Sequence, residues 1–193
     1  MKRIIQIGLL LAVLILPAFS YFPISDNNLI NWSANRKLRW SDFKGKPYNM
    51  KAELAVTDYS ISYTIHSFGD MLHISVRNCF SPQTSWTKDT TRKLLLIHEQ
   101  GHFDLVEIYA RKMRQELRTI NFKFDSVNAQ FNKVYTKYYD QLNNERDAYD
   151  VVTEYSMNLI EQKKFGMKID SILKTLDAYK DTVLDVKVVR KLY

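Results

Sequence analysis

Five consecutive residues, His98-Glu99-Gln100-Gly101-His102, hold the densest chemistry in the chain. On a helix, residues four apart sit about 40° apart around the axis, so the two imidazoles would project side by side. Two His at that spacing can hold one zinc ion from a rigid support. Glu99 is rotated about 100° from His98. It cannot easily share the ion with both imidazoles, but it can reach a water held there. A carboxylate so placed takes a proton as the water attacks a carbonyl and hands it to the leaving amine. The expectation is His98 and His102 as metal ligands, Zn2+ as the cofactor and Glu99 as the general base.

The remaining composition narrows the metal chemistry further. The chain has 193 residues, four His and one Cys. A single Cys excludes both an internal disulfide framework and Cys-based zinc sites. His66 and His73 lie on the polar side of an alternating segment, where a His is usually surface. No His follows His102, so oxygen ligands are needed to complete the sphere unless a strand His folds back onto it. Gly101 is a second signal. A helical Gly costs roughly 1 kcal/mol relative to Ala, and a close approach of another backbone, or room for a substrate, would account for it.

The pentad needs a helix, and the flanking pattern supplies one. Leu94, Leu95, Ile97, Leu105, Ile108, Tyr109, Met113 and Leu117 recur at helical spacing, with Asp89 or Thr90 available as a cap. Before it, residues 52–80 alternate with period two: Ile61, Tyr63, Ile65 and then Leu72, Ile74, Val76, around Ser67-Phe68-Gly69-Asp70. This predicts a β-hairpin with one buried face. After it, a helical pattern covers residues 129–176, long enough to expect a break or bend. Strands first and helices afterwards predict an α+β domain, a small antiparallel sheet packed on long helices. Residues 177–193 read as a C-terminal tail, although Thr182 onward also suits a strand.

The N-terminus reads as a targeting segment. Lys2 and Arg3 precede an apolar run from Ile4 to Leu16, then Pro17 and Ala18-Phe19-Ser20. That is the pattern of a cleavable signal peptide over residues 1–20, and the run is short for a membrane span. The chain is therefore expected to be exported, periplasmic or secreted, with membrane contact only through an uncleaved N-terminal segment. The formal charge of +7 loses Lys2 and Arg3 with that segment and becomes +5. Much of it lies in Arg36, Lys37, Arg39, Lys44, Lys46 and Lys51, which read as a solvated loop. No nucleic-acid motif accompanies them, so no nucleic-acid partner is expected. Residues 21–37 read as an extension before the domain proper, residues 38–176.

Several strings together resemble a known family: Leu38-Arg39-Trp40-Ser41-Asp42-Phe43-Lys44-Gly45-Lys46-Pro47, Phe80-Ser81-Pro82, Ser85-Trp86, His98 through Leu105, Tyr149-Asp150, Thr153, Asn158 and Gln162. The chain resembles, over about residues 38–173, a bacterial domain-of-unknown-function family described as predicted secreted zinc-dependent proteases of the zincin class. The resemblance implies a zincin-like fold, a metallopeptidase activity and a peptide or protein substrate. Relatives typically carry a His after Tyr-Asp-x-x-Thr, a plausible third zinc ligand. Tyr155 stands at that position here. Nearby oxygen donors are Glu154, Asp150 and Glu145; Tyr155 ranks first by family position, Glu154 second and Glu145 third. Asp104 or Glu107 could orient a ligand imidazole or pair with Arg111. The leading expectation is a zinc metallopeptidase. Its rivals are a degenerate envelope protein that binds or scaffolds without catalysis, and a hydrolase of some other envelope amide.

Overall fold

The computed structural model describes residues 29–47 and 53–189. The signal-peptide expectation for residues 1–20 lies outside the described residues. In chain order the elements are β1 (Ile30–Asn31), β2 (Ala55–Val56), β3 (Tyr59–Phe68), β4 (Met71–Phe80), β5 (Trp86–Thr87), α1 (Lys93–Leu117), β6 (Phe122–Lys123), α2 (Val127–Val152), α3 (Leu159–Thr175) and β7 (Val183–Val189). The fold is mixed α+β, with three helices and a small sheet. Among the described residues no helix is long and apolar enough to cross a membrane.

The expected hairpin is β3–β4, paired in register from Tyr59↔Phe80 to Phe68↔Met71. Gly69 turns it with φ +61°, the positive φ that a two-residue hairpin turn demands. β4 is the central strand. β3 lies on one side of it; on the other, β1 pairs with its Phe80 end and β7 with its Met71 end. The alternation read from the sequence sends Leu72, Ile74 and Val76 into the core.

α1 lies across that buried face. From His98 to Arg111 every residue except Gln100 is buried, so this helix is surrounded rather than amphipathic. Leu105, Val106, Ile108, Ala110, Met113 and Leu117 pack with the sheet and with α2 and α3. Its buried polar residues find partners. Glu107 holds Arg111 at 2.9 Å and Arg114 at 3.1 Å, while the two guanidinium groups also donate to the carbonyls of Leu173, Tyr179 and Lys180. This network fastens the end of α3, and the turn toward β7, onto the middle helix.

Three sequence expectations change. The tail is not an appendage: β7 lies between β4 and β6, antiparallel to the first and parallel to the second, so the sheet is not purely antiparallel. Its Leu184, Val186 and Val188 are buried. The extension is not separate either. Ile30 and Asn31 pair with β4, and Trp32 and Lys37 reach α1. α1 starts at Lys93 without a side-chain cap, because Asp89 instead binds the N–H and hydroxyl of Thr91. The break expected in the long second helical pattern falls at residues 153–158, where Glu154, Tyr155 and Ser156 have φ of 50°, 51° and 78°. Non-Gly residues pay roughly 1 kcal/mol or more each for that left-handed backbone. Asn158 then caps α3 by accepting from the Glu161 N–H.

Candidate metal centre

The pentad lies in α1, and the last turn of α2 lies against it. Three donor atoms converge there. His98 Nε2 and His102 Nε2 are 3.2 Å apart, and Asp150 Oδ1 lies 3.1 Å from the first and 2.9 Å from the second. Four ligands around a zinc ion at 2.0–2.1 Å are about 3.3 Å apart. The donor set therefore has nearly the spacing that a tetrahedral ion needs. It also has the right chemistry: two imidazole nitrogens and a carboxylate oxygen face one another, an arrangement that is repulsive unless a cation or a proton lies among them. His98, His102 and Asp150 thus form a triad that could hold a metal ion.

The surroundings fix the orientation of His98. Thr153 Oγ1 donates to the Tyr149 carbonyl at 2.6 Å, with the Asp150 carbonyl at 3.4 Å beside it, so toward His98 Nδ1 at 3.3 Å it accepts. With an ion in the triad the imidazole proton would then sit on Nδ1 and the Nε2 lone pair would face the ion. His102 Nδ1 is buried without a partner among the described residues. Tyr149 closes the back of the site. Its ring stacks on His98 at 4.7 Å, meets His102 edge-on at 5.1 Å, and its hydroxyl donates to the His98 carbonyl. Burial pushes the Tyr149 hydroxyl up in pKa, and the charges of Glu99, Asp150 and Asp104 add to the shift. Asp150 goes the other way. Burial alone would raise it, but the hydrogen bonds from His102 and His98 overcome that and hold the carboxyl well below its ordinary range.

The rest of the extended motif acts as a fastening. Gln100 accepts from the Leu38 N–H at 2.7 Å and donates to Asp104. Asp104 also accepts from Trp32 Nε1 at 2.6 Å and pairs with Lys37. Phe103 packs with Leu38, Phe43 and Phe80. The close neighbour of Gly101 is a side chain rather than a backbone: a Cβ there would meet the Tyr149 ring, 2.8 Å from Cζ.

The sequence-predicted residues divide accordingly. His98, His102 and Glu99 are together and buried. Tyr155 is not brought to them: it is 64% exposed in the left-handed turn beyond α2. α2 ends before Tyr155, and a residue five positions on would in any case be turned about 140° from Asp150 around the helix. Glu154 lies in the same turn and accepts from Asn158, and Glu145 pairs with Lys168. Asp104 and Glu107 bind other partners, and Thr153 takes the orienting position on His98. The sequence signal for Asp150 and Thr153 was present in Tyr149-Asp150-x-x-Thr153, whose 1–2–5 spacing falls on one helical face. His66 and His73 face each other across the hairpin, with His73 bound to Asp185 at 2.7 Å.

No curated protein and no solved structure matches the chain. A family profile does match, over residues 24–156, which takes in the pentad, Asp150 and Thr153. On that match the chain belongs to the family described as bacterial protein of unknown function (DUF922).

Proposed function

We propose that the chain is an exported zinc-dependent peptidase of zincin-like fold, with His98, His102 and Asp150 as the protein ligands and Glu99 as the general base. The supporting observation is the meeting of two Nε2 atoms and one carboxylate oxygen near 3 Å from one another, on a helix that also carries Glu99. Asp150 replaces Tyr155 in the proposed ligand set. Two His and a carboxylate from a second helix is a known catalytic zinc arrangement that leaves a position open. Bound zinc would polarise the scissile carbonyl and bring the pKa of water down to about 7. Glu99 takes the proton of the attacking water and delivers it to the amine nitrogen as the C–N bond breaks. Thr153 and Tyr149 hold His98 still during that transfer. The substrate is a peptide or protein, not nucleic acid, and export rests on the N-terminal sequence pattern.

A second reading has one observation in its favour. Glu99 is only 3% exposed, which suits a metal that props up the fold. One experiment separates the two: zinc content and peptide cleavage of the purified chain beside Glu99→Gln. The peptidase reading expects about one zinc in both and cleavage in the wild type alone. Zinc in both with no cleavage in either supports the structural reading, and a folded, zinc-free wild type sinks both.

A further inference from the structure

A cavity of about 440 Å³ opens one helical turn from the imidazoles. Arg92, Lys93 and Leu95 at the start of α1 line it, as do Ser156, Met157 and Leu159 at the start of α3. Two helices therefore begin at its wall. α1 has no side-chain cap and no acid in its first turn, so its leading N–H groups and its positive end are uncompensated. On α3 the Asn158 cap serves only the Glu161 N–H. The acids on these segments are engaged elsewhere: Asp89 with Thr91, Glu161 with Lys164, Glu154 with Asn158.

Ser156 is the independent signal. It is 4% exposed, and neither its hydroxyl nor its N–H has a hydrogen-bond partner among the described residues. The hydroxyl is not sealed from solvent, so the cavity is where it can find a partner. Ser156 is held in a left-handed conformation at φ 78° and lines the cavity. Cationic side chains, a helix N-terminus and an unpaired hydroxyl suit an anion. Leu95, Met157 and Leu159 suit an apolar group beside it.

We infer that this cavity receives the C-terminal carboxylate and apolar last side chain of a peptide; the choice of a peptide rests on the peptidase reading above. Leu95 precedes His98 by three residues, about 4.5 Å along the axis. One residue of extended chain spans about 3.3–3.6 Å. A carbonyl at the triad thus leaves length for a single residue before the cavity, which makes the reaction removal of one C-terminal residue.

The test is binding of dansyl-Ala-Ala-Leu, as free acid and as amide, to full-length Glu99→Gln protein, with and without zinc, read by fluorescence anisotropy. The acid is expected to bind about tenfold more tightly, the equivalent of one charge-assisted hydrogen bond. Ser156→Ala and Arg92→Gln should each shrink that ratio about threefold or more without altering zinc content. Ser156→Gly, which suits the positive φ, guards against misfolding and should shrink it equally. Equal binding of acid and amide, binding of neither, or a ratio unmoved by all three variants overturns the inference. An acid preference in a protein that takes up no zinc upholds the cavity and sinks the peptidase reading. Cleavage that ignores the acid or amide end does the reverse.

Discussion

Replacing Gly101 by Ala tests whether the site was built around Tyr149. In an ordinary exposed helix interior the change would stabilise by about 1 kcal/mol, because Ala is the better helix former. Here the new Cβ would lie 2.8 Å from Tyr149 Cζ and 3.1 Å from Cε1. Tyr149 is buried and in contact with both imidazoles, so it has no free direction to yield. Overpacking of this kind costs about 1–3 kcal/mol. The net expectation is a loss of up to about 2 kcal/mol, opposite in sign to the propensity effect. Urea unfolding in chelator, to remove any metal, reads it directly. A double-mutant cycle with Tyr149→Leu sharpens the result. Leu removes the ring that the new methyl strikes, so the pair should be less damaging than the sum of the singles by about 1 kcal/mol or more. A stabilised Gly101→Ala, or additivity within about 0.4 kcal/mol, would refute the idea that this glycine exists to admit the tyrosine.

Asp150→Asn should lower zinc affinity by at least about 100-fold, beyond the 10–100-fold typical of outer-shell losses, whereas Tyr155→Phe should leave it unchanged; competition with a chelating dye measures both. Thr153→Val leaves the His98 Nδ1–H buried without an acceptor and should weaken zinc about 10–100-fold in the same assay. Glu107→Gln strips the buried Arg111 and Arg114 of their counter-charge and should destabilise by about 3–5 kcal/mol in urea; an effect below 1 kcal/mol would show that the backbone carbonyls suffice. Asp150 has a folded pKa below its unfolded value near 3.9. Its contribution to the metal-free protein is therefore present above about pH 4 and is lost as the pH falls toward the folded value. Asp150→Asn should accordingly flatten acid unfolding of the metal-free chain in that range.

The local patterns carried much of this structure. Alternation in residues 59–80 revealed the hairpin and its buried face, and the spacing of His98 and His102 placed both on one side of a helix. What escaped is non-local or unsignalled. α2 ends with neither Gly nor Pro, in a run of three left-handed residues, and the capping pattern Asn158-x-x-Glu161 was its only trace. Tyr155 ranked first by family position alone, and this turn carries it out to solvent, away from His98 and His102. Residues 30–37 carry little periodicity of their own, because a strand two residues long has none to show. Residues 183–189 of β7 do alternate, with Leu184, Val186 and Val188 against Asp185 and Lys187, but their pairing with β4 and β6 is non-local and leaves no local trace.

That last strand has a consequence for how the molecule is made. A chain emerging from its N-terminal end can form β3 and β4 early, since their pairing is local. The Met71–Ser75 stretch of β4 then waits for residues 183–187, more than a hundred positions later. Until they arrive it presents an open, apolar edge of the kind that recruits other chains. Burying Leu184, Val186 and Val188 is worth about 1.5–3 kcal/mol apiece, comparable to the whole net stability of a typical domain. A nascent chain stopped at residue 180 would be aggregation-prone rather than nearly folded, and holding it apart from its neighbours would fall to whatever escorts it.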